Sequence, residues 1–283
     1  MTDFPTSASP HGPAGPAGGP PDASVAYTVD DGLATITLQR PDARNALDTV
    51  TKQALKAAVD EAAGDEAVRA VLLTGSGRAF CVGQDLNEHA RLLADAPLDQ
   101  VWSTIEAHYA PLATTLATMP KPVVAGVNGI AAGAGAALAF ACDLRVLSDQ
   151  AGFNLAFAGI GLSCDTGTSW TLPRLVGHAR AVDLLYRPRT VDAAEAERIG
   201  LATVVVPHAD LAAESTALAR RLAEGPTLAY AGIRRSLAHA AGRDLPEALT
   251  FEAGQMARTG GSQDHRDAVA AFLARRPPVF TGR

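Results

Sequence analysis

The sequence predicts an α/β fold, a largely parallel sheet built from strand–helix repeats and followed by a region of helices alone. Three observations carry this. Short β-rich runs alternate with helical stretches from residue 25 to about 206, the alternation that produces right-handed βαβ crossovers. From about Pro207 the apolar spacing is helical throughout, at Leu211, Leu218, Leu222, Leu237, Leu249, Met256, Val269 and Phe272. A length of 283 residues lies near the size at which a single hydrophobic core stops growing, so one large domain with an appendage is expected.

Residues 1–24, MTDFPTSASPHGPAGPAGGPPDAS, offer almost nothing apolar to bury, so ordering them would cost entropy without return. A disordered tail is expected there, then a core over 25–206 and a helical region over 207–283. Val25–Thr28 and Leu33–Leu38 read as hairpin strands around Asp30-Asp31-Gly32, a sequence suited to a tight turn. Asp48 is placed to cap a helix whose apolar positions are Leu55, Ala58, Val59 and Ala62. Ala70–Thr74, Pro122–Val127, Leu144–Leu147 and Leu201–Val206 read as further strands. Helices trailing such a body must cover the body or a neighbour, which favours an oligomer.

The formal net charge of -6 gives no general attraction to nucleic acid or an anionic membrane, so an anionic ligand must be met by local donors. Cys81, Cys142 and Cys164 are too few and too irregular for a disulfide framework or a thiolate metal site, which suits a reducing cytoplasm. Gly129–Cys142 is too short and too Gly-rich to span a membrane, and the N-terminus lacks the basic start and apolar block of a secretory signal. A soluble, cytoplasmic protein is expected. The sequence holds no internal repeat, heptad pattern or nucleic-acid motif.

Two segments join small residues to strand-to-helix transitions: Arg78–Leu86 (RAFCVGQDL) and Asn128–Ala137 (NGIAAGAGAA). Glycine permits close backbone approach, and a helix start leaves its first N–H groups without partners. If the two turns face one another, an oxygen between them would receive two N–H bonds, and charge developing on it would be stabilised. Equally, Gly and Ala there allow helix and sheet to pack closely. A dinucleotide-binding turn at Gly133-Ala134-Gly135 fits poorly: its third small position is Leu138, and the acid after the next strand, Asp149, comes early.

The stretches RPDARNAL (40–47), GRAFCVGQDL (77–86) and KPVVAGVNGIAAGAGAALAFACDL (121–144), with 153–177 and AVAAFLARRPPVFTGR (268–283), together resemble the crotonase (enoyl-CoA hydratase/isomerase) superfamily. The resemblance covers nearly everything after the tail, in register. It implies a spiral of ββα units, a C-terminal helical trimerisation region, a homotrimer or dimer of trimers, an acyl-CoA thioester substrate, and no metal or bound redox cofactor. It makes the backbone N–H groups of Gln84 and Ala134 the oxyanion donors, with side chains that need not matter. It places coenzyme A along Arg44, Ala46, Val82, Asp85 and Leu86. Arg44 would then lie near the phosphates, or be a solvated loop charge. Asp85 could equally be a helix N-cap.

The two glutamates that the family's hydratases use to activate water and deliver a proton correspond here to Ala137 and Phe157, neither of which can move a proton. Asp165 instead occupies a place resembling the acid/base of the family's double-bond isomerases. A single carboxylate suffices for a 1,3-proton shift, and apolar neighbours such as Ile160, Leu162 and Trp170 would raise its pKa. The other role for Asp165 is to cap a helix starting near Thr166. The block from Asn154 to Trp170 looks most like the isomerases of phenylacetyl-CoA breakdown. The expected function is therefore an isomerase that shifts a double bond, or opens a strained ring, through a thioester enolate. A hydratase using Asp165 and a bound water, and a silent acyl-CoA binder, are the alternatives. His89 and Cys164 lack partners in the sequence, and Asp143 is expected to serve structure.

Overall fold

The computed structural model of the chain describes residues 24–283, so the expected disordered tail lies, but for Ser24, outside the described residues. The strands in chain order are β1 (Val25–Asp30), β2 (Leu33–Leu38), β3 (Ala70–Gly75), β4 (Ala79–Cys81), β5 (Val123–Val127), β6 (Ile130–Ala132), β7 (Leu144–Ser148), β8 (Gly152–Asn154), β9 (Thr190–Asp192) and β10 (Val204–Val206). Helices follow the same order: α1 (Thr49–Gly64), α2 (Leu86–Asp95), α3 (Leu98–Thr104), α4 (Ala110–Thr118), α5 (Ala134–Ala141) and α6 (Thr168–Val176). Beyond them come α7 (His178–Tyr186), α8 (Ala193–Ile199), α9 (Leu211–Ala223), α10 (Thr227–Ala240), α11 (Leu245–Gly260) and α12 (Gln263–Leu273).

The larger sheet runs β1-β2-β3-β5-β7-β10 and is parallel except for the β1/β2 hairpin. That hairpin pairs Asp30 with Leu33 across Asp31 and Gly32, both at positive φ, so it extends two residues past the expected end of its first strand. The smaller sheet runs β4-β6-β8-β9. Each of β3, β5 and β7 is followed by a short strand of the smaller sheet and then by a helix, which is the expected ββα spiral. Three-residue strands are too short to show an alternation, so the sequence displayed them only as turns.

The larger sheet is buried on both faces, which is why β3 and β5 read as unbroken apolar runs. On one face Val71, Leu73, Val123 and Ala125 join the main core beneath α1, whose buried face is Leu55, Ala58, Val59 and Ala62 as expected. The Asp48 carboxylate accepts from Thr51 N at 2.8 Å and caps that helix. On the other face Ala70, Leu72, Val124 and Val146 meet Leu211, Ala219 and Ala223 of α9. The expected strand Leu201–Val206 begins only at Val204. Its first residues finish α8: Gly200 turns left-handed, and the N–H groups of Leu201 and Ala202 return to Ala196 O.

No strand follows β10 among the described residues. Helices α10 and α11 pack on each other and leave Ile233, Leu237, Leu245, Leu249 and Met256 exposed. No helix among the described residues is long and apolar enough to cross a membrane.

Candidate active site

The parallel pairing of β4 with β6 makes the two small-residue turns leave the smaller sheet side by side. A Cβ on Gly83 would lie 2.8 Å from Ala132 O and 3.2 Å from Ala134 N, so only glycine lets these backbones meet. Gly135 and Gly129 answer to packing: Cβ atoms there would lie 2.1 Å from Cys81 O and 2.2 Å from Arg78 O. Close packing and facing turns, the two meanings the small residues offered, hold together, because the first produces the second.

Around Gln84 the neighbouring backbone groups are committed. Leu47 N donates to Gly83 O at 2.7 Å, Asp85 N donates to Leu47 O at 3.1 Å, and Val82 N donates to Arg44 O at 3.3 Å. The Gln84 N–H itself has no acceptor among the described residues. Ala134 opens α5 after Gly133, whose φ of 50° and N–H bond to Asn154 O set the entry to the helix. Its N–H belongs to the first turn, where a helix supplies no acceptor, and it too has none among the described residues.

The Gln84 side chain is fixed by residues the sequence did not single out. Its Oε1 accepts from Tyr109 OH at 2.6 Å and from Lys52 Nζ at 3.2 Å. Lys52 also donates to Thr104 Oγ1 at 2.8 Å and faces Glu88 Oε2 at 3.9 Å. Burial lowers the Lys52 ammonium from its ordinary value, partly countered by Glu88, and burial pushes the Tyr109 hydroxyl up. Tyr109 ends a π-helical turn, Ile105–Tyr109, between α3 and α4. A lysine among Thr51, Leu55 and Val59 on the buried face of α1 was the available signal.

Asp165 sits half-buried in the loop before α6. Burial raises its carboxyl above the ordinary value, opposed by a 2.8 Å bond from Thr166 Oγ1. Its charge adds to the burial that pushes the Tyr109 hydroxyl up. A Cβ on Gly167 would lie 3.9 Å from Ala113 of α4, so the loop lies against the helix that follows Tyr109. The carboxylate does not cap α6. The cap position is Gly167, with no side-chain bond, and only the backbone oxygen of Asp165 takes the Thr168 N–H, at 2.9 Å. Thr166 holds φ 52°, a costly conformation for a β-branched residue.

Ala137 is fully buried in α5, and Phe157 is buried with its ring edge 4.0 Å from where a Cβ on Gly133 would stand. Neither supplies a mobile proton beside the Ala134 turn. Of the residues expected along coenzyme A, Arg44 is exposed at φ 52°, Leu86 is exposed on the first turn of α2, and Val82 lies between them on the chain bonded to Arg44 O. Ala46 O is already taken by Arg40 Nη1 at 2.5 Å.

Asp85 is the helix cap that its residue type suggested: it accepts from Asn87 N at 3.0 Å, from Glu88 N at 3.2 Å and from both Arg40 Nη atoms at 3.1 Å. Burial alone would raise this carboxyl, but the bonds from Glu88 N, Arg40 and Asn87 N outweigh it and hold it below the ordinary value. His89 leans on the Trp102 ring at 5.4 Å, and Asp143 pairs with Arg234 at 2.8 Å. A cavity of about 490 Å³ among α10 and α11, lined by Ile233, Leu237 and Met256, contains none of these residues.

Residues 28–283 match the family model described as enoyl-CoA hydratase/isomerase. The chain is 42% identical over 260 residues to a Rhodobacter capsulatus protein named "Probable enoyl-CoA hydratase", covering 92% of this chain and 98% of that one. It is 38% identical over 255 residues to the 1,2-epoxyphenylacetyl-CoA isomerase of Escherichia coli, covering 90% and 97%. Its fold superposes with a TM-score of 0.85 on the crystal structure of an enoyl-CoA hydratase from Polaromonas sp. JS666, at 32% identity and covering 91% and 99%.

Proposed function

From the premise that the chain belongs to the enoyl-CoA hydratase/isomerase family, we propose that it is an isomerase acting on an unsaturated or strained-ring acyl-CoA with Asp165 as its acid/base. The observation that carries this is a carboxyl raised by burial and free of any capping duty, on a loop lying against α4, together with two turns that meet at Gly83 and each leave a backbone N–H without an acceptor among the described residues. The substrate thioester oxygen would sit between the Gln84 and Ala134 N–H groups. In a 3-enoyl-CoA, the Asp165 carboxylate takes a proton from C2, and the released electron pair moves onto the thioester oxygen. The resulting enolate is held by the two donors, each worth roughly 2.7–4 kcal/mol in comparable sites. Asp165 then returns the proton at C4, the double bond settles between C2 and C3, and no atom is gained or lost.

Burial suits the carboxyl to this work, because a base whose pKa is nearer the operating pH transfers protons more effectively in both directions. The Escherichia coli relative's name, an epoxide-ring isomerase, agrees with a strained-ring substrate. A hydratase working through Asp165 and a water is favoured by the name of the Rhodobacter capsulatus relative. Ala137 and Phe157 weigh against it, since hydration needs a positioned water as well as a proton donor. The chain's coenzyme A is part of the substrate, and the exposed apolar residues of α10 and α11 suit burial against further copies, a homotrimer or dimer of trimers. Turnover of a panel of 2-enoyl-, 3-enoyl- and epoxyacyl-CoA thioesters, with products identified by mass and NMR, tests the reading. Dominant 3-hydroxyacyl-CoA from 2-enoyl-CoA would replace it with the hydratase.

A further inference from the structure

We infer that the side-chain amide of Gln84 is a specificity-determining donor, directed at an acceptor oxygen carried on the acyl group close to the thioester. The inference rests on the proposed isomerase site, and it gives a task to a side chain whose neighbour atoms are already spoken for. Gln84 Oε1 receives two donors, Tyr109 OH at 2.6 Å and Lys52 Nζ at 3.2 Å. An ammonium can only donate, so an amide turned end for end would set its NH₂ against Lys52. The orientation is thereby locked. Nε2, with two N–H groups, points away from this pair; it has no acceptor among the described residues and is not among their sealed, unpartnered polar atoms. It is therefore accessible from outside the protein.

On the proposed reading the acyl group would pass beside this amide, because the same residue's backbone N–H is the proposed contact to the thioester oxygen. A cation on Oε1 also polarises the amide and sharpens the acidity of its N–H groups. The lock is built on buried parts. Lys52 and Tyr109 are each 1% exposed, so the amide is presented on a rigid base and not on a solvated loop. A substrate bearing an epoxide, oxo or similar acceptor oxygen on the carbons next to the thioester meets this donor. A purely hydrocarbon chain leaves it unpaired and gains nothing from it.

The test compares binding of acetoacetyl-CoA, whose C3 oxygen only accepts, with binding of butanoyl-CoA, by calorimetry on the full chain. Wild type is expected to prefer acetoacetyl-CoA, and Gln84→Met to reduce the ratio of the two affinities about fivefold, whatever it does to butanoyl-CoA alone. Tyr109→Phe, which loosens the lock but keeps the amide, should reduce it partially. Gln84→Glu preserves the acceptor for Lys52 and Tyr109, so it carries the measurement if the Met variant does not fold, and it too should lose the preference. Equal weakening of both thioesters, or an unchanged ratio, would overturn the inference. Asp165→Asn separates the two readings: retained turnover there sinks the isomerase mechanism, whereas the binding ratio is read without turnover and should not change in that variant. If neither thioester binds, both readings are overturned.

Discussion

Asp165→Asn removes the proposed base while keeping side-chain shape and the acceptor that Thr166 Oγ1 uses at 2.8 Å. A positioned acid/base contributes at least about 10²-fold, equivalent to about 2.7 kcal/mol of barrier, and turnover should fall by that much with thioester binding retained. Two pH signatures accompany the loss. Only the carboxylate can accept the substrate proton, and burial raises its pKa, so wild-type kcat/KM should fall toward acid along a limb lying above the ordinary carboxylate range. For stability the sign is the opposite of a salt-bridged aspartate. A carboxyl raised in the folded state contributes stability that is fully present below its unfolded pKa and is lost as pH rises through the folded value. Asn carries no such charge, so at pH 7 the variant should melt at or above the wild-type temperature, and the gap should close below about pH 4. Steady-state kinetics on the substrate found by the panel, and thermal melts from pH 3.5 to 8, measure both. Near-wild-type turnover, or an acid limb at the ordinary carboxylate value, would refute the reasoning.

With crotonyl-CoA, hydration should be far slower than isomerisation of a 3-enoyl-CoA, because Ala137 and Phe157 can neither activate water nor deliver a proton. In heavy water the isomerised product should carry deuterium, since a carboxylic acid exposed between transfers exchanges with solvent; protium-only product would show that the proton never leaves a sealed pair. Gly135→Ala sets a methyl 2.1 Å from Cys81 O, backbone that cannot yield cheaply, so a loss of at least about 2 kcal/mol is expected in denaturant melts.

The fold was legible wherever burial produced a pattern long enough to see. The apolar runs of β3 and β5, the Asp30–Gly32 turn and the amphipathic α1 behind its Asp48 cap all announce themselves locally. The smaller sheet did not, because a three-residue strand carries no periodicity, and the end of α8 passed for strand because Leu201 and Ala202 are as apolar as Val204–Val206. At the site, the small residues pointed to the turns, and the missing glutamates directed attention to Asp165. Sequence could not reveal the Lys52–Gln84–Tyr109 contact, whose members are separated by 32 and 25 positions and meet only through the packing of α1 against the turn before α4. Asp85 shows the converse limit: capping and ligand binding call for the same residue type, and the Asn87, Glu88 and Arg40 bonds show the cap, which the residue type alone could not.

Those Arg40 bonds bear on how the proposed oxyanion turn is held. An N–H donor stabilises an enolate only if it is already aimed, since reorganising it during the reaction would return the gain. The Gln84 N–H is aimed by the bridge to Leu47 on either side of it, and the 40–48 segment carrying Leu47 is in turn gathered by one guanidinium. Arg40 reaches Ala46 O at 2.5 Å, Asp48 Oδ2 at 3.1 Å and Asp85 Oδ2 at 3.1 Å. It thus joins the caps of α1 and α2 to the strand-like pair that brackets Gln84. Arg40→Met should therefore cost about 2 kcal/mol of stability, from charge-assisted bonds lost at partly exposed sites. It should also lower kcat more than it raises KM, because the turn loses its aim while the substrate surface stays in place. Arg40→Lys keeps the charge but cannot fork between three acceptors, so it should rescue little. A variant that melts early yet keeps full kcat below its melting temperature would show that Arg40 only staples the loop and that the Gln84 N–H is aimed without it.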